Sequence, residues 1–236
     1  MRKLFFGMVL AASASAAPAA VTQVADFSGN YATTPAAGWS YQWNPTGVAL
    51  GNSAGYTALS YNSTDSKYET SATGALPQAN PGGYLSINAT GVQMGQNASA
   101  SDGNVHYAII GYTFTAAQIA ADGSSMVFHT YDFSVPSDQT LSPVSIQLMQ
   151  NNTLLGPAFQ FPAGTTFSNA IYGPDYYITD VAPGDTFYIA FGEPGNYSGQ
   201  TVGVAFTLGL EPSVLPEPAS LGLLGIAPLA LRRRRR

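Results

Sequence analysis

Cysteine is absent from the 236-residue chain, which removes disulfides, thiolate metal centres and cysteine nucleophiles together. Positive charge is nearly absent from the interior of the chain. Between Ala17 and Leu215 the one basic residue is Lys67, whereas all but one of the 13 Asp and Glu residues fall there. A body this acidic excludes nucleic acid as a partner, because phosphate contacts require Lys and Arg, and it leaves almost no scope for internal salt bridges. Histidine occurs twice, at His106 and His129. Serine-nucleophile signatures of the GxSxG type are missing, as are phosphate-cradling glycine loops. Helical periodicity is confined to Thr115 to Ala121, where Thr115 is a natural N-cap and Gly123 a stop. Stability must therefore come from packing, hydrogen bonds or a bound cation.

What the chain does contain is alternation. Short apolar and aromatic runs recur at Trp39 to Asn44, Gly83 to Ala89, His106 to Phe114, Ser125 to Val135, Val144 to Gln150, Tyr176 to Ile178, Thr186 to Phe191 and Val202 to Leu210. Gly-, Pro-, Asn- and Asp-rich turns separate them, and prolines 143, 157, 162 and 174 sit between runs, where a missing N–H does least harm. In Met126 to Phe133 both faces carry apolar side chains, which predicts an interior strand. Many short strands with such punctuation predict an all-β fold, a single antiparallel β-sandwich of the jelly-roll kind. Its length, about 190 residues between the two ends, suits one domain.

The two ends differ in kind from the body. Arg2 and Lys3, the apolar stretch Leu4 to Ala12 and the small residues Ala14-Ser15-Ala16 predict a cleaved signal peptide over 1–16, with Ala17 the first mature residue. The apolar stretch is too short for a retained anchor, which needs about 20 residues. At the other end, the linker 211–215 leads to Pro216-Glu217-Pro218, the apolar run Ala219 to Leu231, and Arg232, Arg233, Arg234, Arg235 and Arg236. As a helix the run would rise about 20 Å, short of a roughly 30 Å hydrocarbon core, and Pro228 interrupts it. That describes a marginal, transient span whose arginines stay on the cytoplasmic side, leaving the body outside. The plainer alternative is a basic tail for nucleic acid or anionic lipid, which the adjoining apolar run disfavours.

Pro216-Glu217-Pro218-Ala219-Ser220, the apolar Leu221-Gly222-Leu223-Leu224-Gly225 and the arginine block closely resemble the PEP-CTERM sorting signal of exported proteins in Gram-negative bacteria that make extracellular polysaccharide. The likeness covers the last twenty or so residues. It implies passage through the Sec export machinery, transient anchoring in the inner membrane with the body in the periplasm, and recognition by exosortase, a membrane-embedded cysteine transpeptidase. Cleavage near Pro216, Glu217 and Pro218 would then deliver the body to the cell surface or medium. In that scheme this chain is a substrate, and the motif residues are recognition elements. The opening of the body, Trp39 to Leu50, together with Tyr107-Ala108-Ile109-Ile110, is also similar to body domains that recur ahead of such tails.

Within the body, Trp39, Tyr41 and Trp43 share one face of a strand. An exposed row of this kind stacks on sugar rings and would touch extracellular polysaccharide. A buried row supplies core area, about 150–250 Å² per ring, and that is the better expectation. His106 and His129, with Asp102 or Asp132, lack the convergent spacing of a metal centre, so no cofactor is expected. The turns Asp102-Gly103-Asn104, Asp122-Gly123-Ser124 and Pro183-Gly184-Asp185 have oxygen donors for a structural calcium ion, although turn chemistry alone accounts for them. Glu69 and Glu193 are the pair that a secreted glycan hydrolase would need about 5–10 Å apart. The leading expectation is a noncatalytic surface or matrix protein. The alternatives are that hydrolase and an inert structural spacer.

Overall fold

The computed structural model describes residues 20–45, 48–70, 85–94, 105–134, 144–161, 166–168, 176–178, 181–192 and 200–212. Among them, strands assemble into two antiparallel sheets of nine and seven strands that pack as a sandwich. The larger sheet runs β13 (Thr166–Ser168), β9 (Ser125–Ser134), β16 (Gln200–Glu211), β7 (Gly91–Met94), β6 (Leu85–Asn88), β5 (Lys67–Glu69) and β4 (Ser60–Asn62). Two further strands join it: β1 (Thr22–Asp26) pairs with β16, and β14 (Tyr176–Ile178) pairs with β9. The smaller sheet runs β11 (Thr153–Leu154), β10 (Val144–Gln150), β15 (Thr186–Gly192), β8 (Tyr107–Thr113), β2 (Trp39–Trp43) and β3 (Thr57–Ala58), with β12 (Phe159–Phe161) also on β10.

The predicted strands form where alternation is strongest, because one buried face fixes register and a slip would expose every core side chain. β9 is interior as expected, with β16 along one side and β13 and β14 along the other. Residues Ala116–Asp122 form the helix predicted within the body at Thr115 to Ala121, α2 (α1 being the short Phe27–Asn30 turn). Thr115 and Gln118 cap α2 reciprocally: the Gln118 backbone N–H donates to the Thr115 hydroxyl and Gln118 Oε1 accepts from the Thr115 N–H. Gly123 ends the helix with φ +103°, and a Cβ there would run into the Glu211 carbonyl, so the turn requires glycine on both counts.

Aromatic contacts join the sheets. Phe128 and Phe133 of the larger sheet meet Phe187 and Phe191 of the smaller at 5.7 and 5.8 Å between ring centroids. Phe27 of α1 is fully buried and stacks on Phe206 at 5.4 Å, plugging the region above Trp39 and Tyr41. On the outer side of the smaller sheet, residues 48–56 cover a second, smaller cluster of Ile109, Met149, Tyr188 and Ala190. The Ser53 N–H and hydroxyl donate to Asn152 Oδ1 at 2.9 and 2.8 Å and tie that crossing down at the β10–β11 hairpin.

The chain enters and leaves the sandwich side by side. Thr22 of β1 is the antiparallel partner of Leu210 of β16. Whatever precedes residue 20 and follows residue 212 therefore joins the body at one end. Among the described residues no helix is long and apolar enough to cross a membrane. The expected signal peptide, Pro216, Glu217, Pro218, the apolar run and Arg232 to Arg236 lie outside the described residues.

Candidate functional site

Trp39, Tyr41 and Trp43 alternate with Ser40 and Gln42 along β2, as their spacing dictates, and their face is the inner one. All three rings are buried, at 6%, 2% and 7% exposure. Trp39 packs on Phe206 at 5.8 Å and Tyr41 on Tyr68 at 4.6 Å, both across the sandwich. The sugar-platform reading of this row is thereby corrected: ring faces covered by the opposite sheet have no room for a pyranose, and the row is core. Tyr41 Oη finds no hydrogen-bond partner, and burial, followed by the charge of Tyr68, raises its phenol well above the usual tyrosine range.

The histidines lie apart in the topology. His106 precedes β8 of the smaller sheet, is buried, and its Nδ1 sits 2.7 Å from the Asn44 carbonyl oxygen. His129 lies in β9 of the larger sheet. Among the described residues no three His, Asp or Glu side chains converge as metal ligands. Asp102 lies outside them. Asp185 is occupied as a turn organiser, accepting from the Ala182 N–H at 2.8 Å, Asn151 Nδ2 at 2.8 Å and Gln150 Nε2 at 3.0 Å. Burial pushes its carboxyl upward, but those hydrogen bonds outweigh burial and hold it below the ordinary value of 3.8. A recess of about 270 Å³ lies between Asn44, Val48, Leu50 and Tyr107. The Asn44 amide on its wall is engaged, donating to the Val48 and Val105 carbonyls and accepting from the Tyr107 N–H.

Glu69 is the polar residue whose environment is most unusual. It stands on β5 with only 1% of its surface exposed. Asn62 Nδ2 donates to its Oε1 at 2.7 Å, while its Oε2 lies 3.4 Å from Lys67 Nζ. Lys67 in turn is 3.5 Å from the half-exposed Asp65. Asn62 and Lys67 are direct cross-strand partners in the β4–β5 hairpin, and Glu69 follows Lys67 by two residues, so all three share the outer face of the larger sheet. Ser66, with φ +54°, is the left-handed residue that closes the turn just before Lys67. Glu193 lies outside the described residues. The single Lys or Arg of the body is thus placed against a buried carboxylate, a grouping sequence reasoning missed although Lys67 and Glu69 at i, i+2 were its signal. No protein-family model matches this chain, and no curated protein matches it.

Proposed function

We propose that this chain is an exported, noncatalytic surface or matrix component, delivered as a folded β-sandwich by a sorting tail that exosortase recognises. The observation that carries the reading is the C-terminal succession of Pro216-Glu217-Pro218, a short apolar run and five arginines, opposite an N-terminal stretch with the layout of a signal peptide. The sandwich supports it in one respect: β1 and β16 lie side by side, so both flanking segments join the body at the same end and the rest of it extends away from a membrane holding either one.

Fractionating host cells tests the proposal. The body is expected at the cell surface or in the medium of normal cells and in the inner-membrane fraction of cells lacking exosortase. Equal distribution in the two strains would overturn it.

A further inference from the structure

The grouping around Glu69 has the parts of an acyl-transfer site. Lys67 supplies a primary amine, Asn62 a carboxamide, and Glu69 a buried carboxylate in contact with both. The Asn62 carbonyl oxygen is also engaged, accepting from the Thr64 N–H at 2.9 Å, where a backbone donor stabilises negative charge as it develops. We propose that Lys67 and Asn62 form an intramolecular amide cross-link, with Glu69 as the proton carrier.

The reaction balances without an oxidant or reductant. Glu69 accepts a proton from the Lys67 ammonium, freeing the Nζ lone pair to attack Asn62 Cγ. Charge gathers on Oδ1 against the Thr64 N–H. Glu69 then returns its proton to Nδ2, the Cγ–Nδ2 bond breaks and ammonia departs, while a second proton leaves Nζ for solvent by way of the same carboxylate. The product is a Cγ–Nζ amide plus one ammonium ion. Burial of Glu69 keeps its carboxylate in contact with both reacting groups and away from solvent. The strand register supplies the proximity: directly opposed residues have Cβ atoms about 4.5–5.5 Å apart, within easy span of a lysine side chain. Asp65, also near Nζ and Nδ2, is half exposed and serves to hold the ammonium over the hairpin.

The location gives the bond a purpose. Among the described residues β4 is a three-residue strand at the end of the larger sheet, and β5 is the one strand of that sheet it pairs with. In a chain without cysteine, an amide tie across this hairpin does for that edge what a disulfide would do elsewhere.

Mass spectrometry of the full chain recovered from cells tests the cross-link. Chymotryptic cleavage after Tyr61 and Tyr68 releases the peptide Asn62 to Tyr68, which is expected to be lighter than its sequence mass by one ammonia. Lys67 is the sole tryptic site between Lys3 and Arg232, and after denaturation its acylated form is expected to resist trypsin. Glu69→Gln is expected to restore both the full mass and the cleavage. A wild-type peptide of full mass that trypsin cuts after Lys67 would overturn the proposal whether or not the variant folds. So would loss of ammonia with Lys67 still cut, since that is the signature of a succinimide at Asn62.

Discussion

Tyr41 places a phenol in the core with nothing to bond its hydroxyl, a cost that the ring contacts with Phe27, Tyr31 and Tyr68 outweigh. Tyr41→Phe keeps the rings and removes the unsatisfied group. It is expected to leave stability unchanged or raise it by up to about 1 kcal/mol, measured by urea unfolding. Phe27→Ala, in contrast, empties the fully buried position between Trp39 and Phe206 and is expected to cost about 3–5 kcal/mol in the same assay. Asp185 sets a pH dependence at this scale. Its folded-state pKa is depressed, so its contribution is complete above the ordinary value of 3.8 and is lost as the pH falls below that through the folded-state value. Asp185→Asn is expected to flatten that part of an acid-unfolding profile, and an unchanged profile would contradict the role of the Ala182 turn. The aromatic row shows what single residues disclose in sequence. Spacing fixed that Trp39, Tyr41 and Trp43 share a face, but which face looks inward depends on Phe206 and Tyr68, more than a hundred and about thirty residues away along the chain.

Elements were legible in proportion to how much of their stability is local. α2 carries its own N-cap and glycine stop where the sequence puts them, and the structure adds the reciprocal bond from Gln118. Thr115→Ala is expected to destabilise the protein by about 1 kcal/mol through loss of the cap, read as a lower midpoint in urea or thermal unfolding. β10 matches its predicted bounds and β9 follows its prediction from Ser125 to the end of the described segment at Ser134, because long alternating runs need no partner to be recognised, and the three-residue β14 also lies where it is predicted. The strands that escaped notice, among them β1, β4, β5, β7, β11 and β12, are short or polar. They exist through pairing: β4 and β5 are three residues each, and Ser60-Tyr61-Asn62 alternates only once. The same shortness hid the grouping of Asn62, Lys67 and Glu69, which forms only when the hairpin register sets Asn62 opposite Lys67. α1 escaped for another reason. A four-residue turn has no periodicity, and Asp26, whose carboxylate accepts from the Gly29 N–H at 3.0 Å, was its one visible mark.

At the scale of the whole molecule, the sandwich and its function were read from different parts of the sequence. Alternation in the body predicts the two-sheet fold, which carries no convergent ligand set or open aromatic platform among the described residues. The functional proposal comes from the ends, where seven of the eight basic residues flank short apolar runs. Adjacent entry and exit strands make the two compatible, since a body tethered at one end presents its remaining surface outward. The measurement that tests this account most directly is identification of the C-terminal residue on protein released by the host. The account predicts a terminus at or near Pro216-Glu217-Pro218 with the apolar run and Arg232 to Arg236 gone, and retention of those arginines when Glu217→Ala spoils the motif. Released wild-type protein that still ends at Arg236 would contradict it.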